Sequence, residues 1–469
     1  MISYSATKLA NMIRNKECSC VELTRAYIEQ IEKVNPYINA VVQFNPQRAL
    51  TEAKKKDQQL ANGEKLGPLH GLPFTLKDVY ATEGDIVTAG CLGLKDHITN
   101  YDSTIAKRLK NAGAILLGKT NTPEMENSPD TDNLVYGQTL NPYDLNRGAG
   151  GSSGGAAAIV SACGSAFDVG ADVGGSVRVP AHYCGLCGVK TTPRVIPSTG
   201  VVYPSGLRTG IMGLILTEGP ICRFVEDASL LLSVLEGPDG RDSAVIPRPI
   251  SLASARKAED LKIAYVFDEV GPPISSETRQ AIQDVANALS GRHCTVNHDW
   301  PPRLGEGFEF FHKTLGACAY TEFRSGLKSL NVKRISPLMQ KILNYFKPYS
   351  CDLNQFLAVW HEWDLFRSDI LRFFDHYDAL ICPVTPQEAI SADKTMMDPG
   401  MVINASYAWG VSTLLLPIVT VRAGTAKSGL PIGVQIITKQ FYEGIGLQIA
   451  TYIEQALGGW IKPPSPCNV

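Results

Sequence analysis

No stretch constrains the fold of this chain more than Gly148 to Thr192. It is nearly free of charge and carries two serine sites set among glycines: Gly150-Gly151-Ser152-Ser153-Gly154-Gly155, then Asp172-Val173-Gly174-Gly175-Ser176-Val177-Arg178. Runs of glycine and serine are usually flexible linkers. Here the residues between the two sites are Ala, Ile, Val, Cys and Phe, which have to be buried. Gly154 to Ala162 reads as a buried helix with Ser152 and Ser153 at its N-terminus, where unbonded N–H groups and the positive dipole end favour a polarised hydroxyl. Ala166 to Asp172 reads as a short strand entering the Gly-Gly turn, with Ser176 just beyond it. Glycines there permit positive φ and remove Cβ bulk, so consecutive backbone N–H groups can converge on one point. That is what an oxyanion hole requires.

With 44% hydrophobic and 19% charged residues in 469, a sizeable core is expected. The formal net charge of -2 offers no field to attract nucleic acid or an anionic membrane, and neither is an expected partner. Met1 to Cys20 lacks the continuous apolar segment of a secretory signal, and no apolar run approaches the roughly 18 residues of a membrane span. Twelve cysteines scattered singly fit reduced thiols better than a disulfide framework, so a cytoplasmic location is expected. Cys184-Gly-Leu-Cys187 has neither a second such pair nor paired histidines to complete a zinc site, and reads as buried structural thiols. The eight histidines form no HExxH or HxH pattern. No metal and no cofactor are expected.

Strands alternate with helices without an obvious linker, which predicts an α/β fold: a single large domain over 1–469, with a central mixed β-sheet covered by helices on both faces. Helices over Ser5 to Asn15, Ser19 to Val34 and Gln47 to Leu60 make an N-terminal cover within 1–64, and Ser19-Cys-Val-Glu22 is a capping box. In Leu72 to Lys77, alternation puts Leu72, Phe74 and Leu76 on one face and Thr75 and Lys77 on the other. A lysine there is as readily a surface residue as a functional one. Asp102 and Ser103 can cap a helix to Ala112, followed by a strand from Ala114 to Leu117. Gly113 to Thr120 matches GxxxxGK[ST], but an apolar run stands where a phosphate loop must be flexible, and Pro123 follows closely. No phosphate site is assigned.

Pro123 to Arg147 reads as polar and turn-rich, Asn141 to Gly148 as a polar turn, and Arg194 to Pro220 as a connection punctuated by glycine and proline. A helix over Val225 to Leu235, a strand over Leu261 to Asp268 and a helix over Ser275 to Ser290 come next. A mostly helical, aromatic-rich insertion over 300–375 is expected to shape a pocket. Strands at Asp378 to Pro383, Leu414 to Val421 and Ile432 to Ile437 precede a closing helix from Glu443 to Leu457.

A serine hydroxyl is a weak nucleophile until a base takes its proton, and a neutral lysine can do so once burial or nearby positive charge lowers its pKa. Lys77, Ser152 and Ser176 would then act as one device, with Ser152 as the relay. Nothing in the spacing alone shows that they meet. The ordered motifs Gly71-Leu-Pro-Phe-Thr-Leu-Lys77-Asp, Gly150 to Gly155, Gly170-Ala-Asp-Val-Gly-Gly-Ser176-Val-Arg178-Val-Pro180, Cys184-Gly-Leu-Cys-Gly-Val-Lys190 and Gly429-Leu-Pro-Ile-Gly-Val-Gln435 make the chain similar to the amidase signature family of Ser-Ser-Lys hydrolases. The likeness is strong over 65–240, a catalytic core, and vague over 300–375.

That resemblance implies hydrolysis of a linear carboxylic amide to acid plus amine or ammonia through a serine acyl-enzyme. It makes Ser176 the nucleophile, Ser152 the bridging serine on a cis peptide, and Lys77 the base. The N–H groups of Val173, Gly174, Gly175 and Ser176 would form the oxyanion hole, with Ser153, Asp172 and Arg178 bracing the loops. Glu126, Asn127 and Ser128 lie in the loop that skirts the acyl pocket of relatives, where an apolar residue is common in place of Glu126. The implied partner is a small-molecule amide, and a homodimer is open to the chain, as in many relatives.

Within the family, the alternative is the amidase subunit of a tRNA-dependent amidotransferase. Val179 stands where such relatives usually carry glutamine, and they lack the Thr131-Asp-Asn-Leu-Val segment. Outside it, GxSxG would make Ser153 an α/β-hydrolase nucleophile, but that elbow needs a strand directly before it. A noncatalytic binding protein on the same scaffold would have no need to keep Lys77, Ser152 and Ser176.

Overall fold

The computed structural model describes residues 1–202, 206–247 and 256–464; positions 203–205 of the Arg194 to Pro220 connection lie outside the described residues. In chain order the strands are β1 (Val41–Phe44), β2 (Pro73–Lys77), β3 (Ile115–Thr120), β4 (Leu140–Asn141), β5 (Asp144–Gly148), β6 (Phe167–Asp172), β7 (Cys187–Lys190), β8 (Thr217–Cys222), β9 (Lys262–Tyr265), β10 (Thr295–His298), β11 (Ala379–Pro383), β12 (Ile418–Thr425) and β13 (Pro431–Thr438). Eight of them make one mixed sheet in the order β10-β9-β11-β13-β12-β7-β8-β6. It is parallel across β10, β9 and β11 and antiparallel from β11 onward.

Side chains alternate between the faces of a strand. On one face Val419 of β12 meets the closing helix Glu443–Leu457, where a Cβ on Gly446 would lie 3.0 Å from it. On the other, Gly188 of β7 and Gly433 of β13 lie against helix Arg178–Tyr183, so close that a Cβ on Gly188 would come 2.8 Å from Ala181. Helices therefore cover both faces, as the alternation of elements predicts. Among the described residues, no helix is long and apolar enough to cross a membrane.

The smaller sheet β1-β3-β2 sits beside β6. Ala166 N–H donates to the Pro73 carbonyl at 3.2 Å. Asp168 on β6 accepts from Thr75 Oγ1 (2.7 Å), Thr120 Oγ1 (3.0 Å) and the Lys77 N–H (3.1 Å). Burial pushes that carboxyl up to about 6. One side chain thus joins two sheets and fixes where β2 ends, which is where Lys77 stands.

Most predicted helices are present within a residue or two of their ends, and Ser19–Glu22 forms the capping box. The second helix does not stop at Val34. It runs through Pro36 to Ile38, because Ile38 continues the buried stripe and Asn35 Oδ1 then accepts the Ala40 and Val41 N–H groups. The segment matching a phosphate loop is strand β3, and its Lys119 is buried, donating to the Tyr80 carbonyl.

Three expectations need correction. The polar turn at Asn141 to Gly148 is the two-stranded ribbon β4-β5, held by the Gly148 N–H on Ile390 O at 3.0 Å. The strand expected at Leu414 to Val421 begins at Ile418; Leu414 to Leu416 are a buried turn after helix Ser406–Ser412, and apolarity alone does not separate the two. The Arg194 to Pro220 connection contains helix Gly210–Ile215 and most of β8. Pro220 argues against a strand in the sequence, yet β7 pairs only with Ile221 and Cys222, so the ladder on that side ends before the proline.

Candidate active site

β2 ends at Lys77, whose side chain is 0% exposed, which removes the surface reading. Its Nζ donates to Ser152 Oγ at 2.7 Å. The Gly151–Ser152 peptide is cis, and the two serine loops are tied where the Ser153 N–H donates to the Ser176 carbonyl at 3.2 Å. Glycine is required at 151 because a Cβ would lie 2.6 Å from the Asp130 backbone. Ser152 is buried and Ser176 partly exposed, and both line a cavity with Glu126, Asn127 and Ser128. Lys77 and Ser152 meet although 75 residues separate them, and Ser176 lines the same cavity as Ser152.

The turn that carries Ser176 is wound around Asp172. Its carboxylate accepts from the Gly175 N–H (2.9 Å), the Val177 N–H (3.0 Å), and Arg178 Nε (3.0 Å) and Nη2 (2.9 Å). Burial pushes this carboxyl up, but Arg178 and Lys190 outweigh it and hold it well below the usual carboxylate range. Arg178 reaches onward to Gln435 Oε1 at 2.8 Å and Ser412 Oγ at 2.6 Å, so β13 and helix Ser406–Ser412 also brace the turn.

Two details differ from expectation. Gly175 cannot serve as an oxyanion donor while its N–H is spent on Asp172, which leaves Val173, Gly174 and Ser176. The Gly154 N–H, expected to favour a serine hydroxyl, is taken by Thr131 Oγ1 at 3.1 Å; the Thr131 hydroxyl itself donates to the Gly150 carbonyl at 2.8 Å. Ser153 braces the loops through its backbone, since its buried hydroxyl has no partner among the described residues. The premise against an elbow at Ser153 also changes, because strand β5 ends at Gly148. Even so, Ser153 is 0% exposed and is not among the residues that line the cavity.

Glu126 also lies against the lysine. Its Oε1 is 3.0 Å from Lys77 Nζ, an ionic contact rather than an aligned hydrogen bond, and its Oε2 is 2.6 Å from Arg208 Nη2. Burial lowers the Lys77 pKa, Glu126 opposes that, and Arg208 adds to it. Arg208, Glu218 and Tyr80 continue this cluster, and sequence reasoning missed them. They come from an irregular connection, a proline-bearing strand and the turn after β2, with no spacing to link them. Ser128 Oγ accepts the Asp130 N–H at 3.0 Å, whereas Asn127 Nδ2 is buried without a partner among the described residues. The facing wall is apolar: Phe311, Leu315, Phe323, Ile342 and Phe346 from 300–375, and Trp409 stacked on Phe311 at 4.5 Å.

The amidase family model matches residues 22–445. The chain is 31% identical over 480 residues to a subunit of glutamyl-tRNA(Gln) amidotransferase from Thermosynechococcus vestitus, covering 96% of this chain and 97% of that one. It is 29% identical over 499 residues to fatty-acid amide hydrolase 2 of Homo sapiens, covering 99% and 91%. Among solved structures, 6-aminohexanoate cyclic dimer hydrolase matches with a TM-score of 0.86 at 26% identity over 100% of both chains. With a family match across most of its length and the sheet shared with these enzymes, the chain belongs to the amidase signature family.

Proposed function

We propose that the protein hydrolyses a linear carboxylic amide with an apolar acyl group, through an acyl-enzyme on Ser176. The observation that carries this is the 2.7 Å hydrogen bond from Lys77 to Ser152, beside a cavity lined by Ser152, Val173, Gly174 and Ser176. Ser176 Oγ attacks the amide carbonyl carbon while Ser152 takes its proton and passes its own to neutral Lys77. The N–H groups of Val173, Gly174 and Ser176 receive the developing oxyanion, each aimed donor being worth about a hundred- to a thousandfold in rate. As the C–N bond breaks, the proton returns through Ser152 to the departing amine. Water then cleaves the ester by the same relay.

The apolar wall favours an alkyl or aryl acyl group. Glutamine would bring an ammonium and a carboxylate against Phe311, Leu315 and Trp409, which counts against the amidotransferase-subunit reading. The binding-protein reading has one observation in its favour, the Glu126 contact, which opposes the effect of burial and favours the protonated form of Lys77. A fluorophosphonate probe with intact-mass detection separates the two. We expect one adduct on the wild-type protein and none on Ser176→Ala, whose turnover of alkyl and aryl amides is also abolished with the fold intact. An unlabelled wild-type protein that turns over no amide would establish the binding protein instead.

A further inference from the structure

Glu126 works against the base that the acylation scheme needs. A carboxylate 3.0 Å from Lys77 Nζ favours the ammonium, whereas a general base must be neutral. The loop is shaped to hold it there: Met125 and Glu126 both adopt left-handed backbone, at φ 54° and 62°, a conformation uncommon outside glycine. Glu126 also faces Arg208 at 2.6 Å, and the same guanidinium lies 3.5 Å from Glu218, which accepts the Tyr80 hydroxyl. These side chains are all nearly buried. With Lys77 protonated, two cations balance two carboxylates. With Lys77 neutral, the buried cluster carries an excess negative charge.

We propose that Glu126 is a positioning residue that sets the proton occupancy of Lys77, with Arg208 as its counterweight. Glu126 holds the ammonium beside Ser152 in the resting enzyme, and Arg208, competing for the same carboxylate, governs the pH at which Lys77 becomes a base. The other ionisable groups around Lys77 are committed elsewhere. Asp168 is bonded to two threonines and the Lys77 N–H, Asp78 accepts from Thr88, Lys119 donates to the Tyr80 carbonyl, and Glu218 is held by Tyr80. Burial and Arg208 lower the Lys77 pKa while Glu126 raises it, so the two partners pull in opposite directions.

This inference rests on the Ser176–Ser152–Lys77 reading, and the test separates their failures. The rate of fluorophosphonate labelling of Ser176 is measured against pH for the wild-type protein, Glu126→Gln, Arg208→Met and Arg208→Lys, with thermal melting as the check on folding. Glu126→Gln should move the acid limb down by about one pH unit or more. Arg208→Met should move it up, and Arg208→Lys should restore the wild-type position. Limbs that stay put, or that move in the same direction in Glu126→Gln and Arg208→Met, overturn the inference while leaving the nucleophile assignment intact. Should Arg208→Met fail to fold, an unmoved limb in Glu126→Gln is sufficient to reject it. An unlabelled wild-type protein removes the nucleophile assignment, and this inference with it.

Discussion

Replacing Arg178 with methionine keeps much of the side chain's reach and deletes its charge. Asp172 retains the Gly175 and Val177 N–H groups, and Lys190 at 3.7 Å, but loses two guanidinium bonds of 3.0 and 2.9 Å. Both partners are 0% exposed, so the variant leaves a buried carboxylate only partly compensated. Removing one partner of such a pair costs about 3–5 kcal/mol, and the remaining contact with Lys190 puts this case at the lower end. Urea unfolding followed by tryptophan fluorescence, at unchanged m, reads the loss.

Asp172→Asn/Arg178→Met removes the orphaned charge as well, so the double variant should be less destabilised than the sum of the singles. The pH dependence has a definite sign. In the wild-type protein the depressed Asp172 carboxyl stabilises the fold above its unfolded value, about 3.9, and that contribution is lost as pH falls through the folded value. In Arg178→Met, burial dominates and the carboxyl titrates higher, so its deficit should shrink on acidification. A loss below about 1 kcal/mol against that expected range, or a strictly additive cycle, would show that this pair does not hold the Ser176 turn.

Amide hydrolysis should have an acid limb in kcat/KM, because protonated Lys77 cannot accept a proton, and burial should place that limb below the value of free lysine; a flat profile on the acid side contradicts the assignment of the base. Gly155→Ala should sharply reduce soluble yield and melting temperature, since its Cβ would lie 2.4 Å from the Asn121 backbone nitrogen, and wild-type melting would refute that packing. Phe311→Ala should lower kcat/KM for aryl amides about tenfold or more while leaving acetamide nearly unaffected, as expected from losing roughly 1.5–3 kcal/mol of apolar contact. Equal losses on both substrates would remove the acyl-pocket assignment.

What the sequence determined by itself was local or repeated: the capping box at Ser19, the helical stripes, the glycine turns around Ser152 and Ser176, and the alternation that predicts a covered sheet. Each is decided within a few residues by backbone sterics or side-chain periodicity. Ordered motifs then related Lys77 to the serines by resemblance rather than by geometry. Tertiary structure alone decided the rest. Asp168 sets where β2 ends, Asp172 takes the Gly175 N–H that the sequence had offered to an oxyanion hole, and Arg208 joins Glu126 to Glu218. These depend on which charges and donors share one buried volume after distant strands pair, and in a low-dielectric interior such neighbours, more than residue type, determine whether a lysine holds its proton.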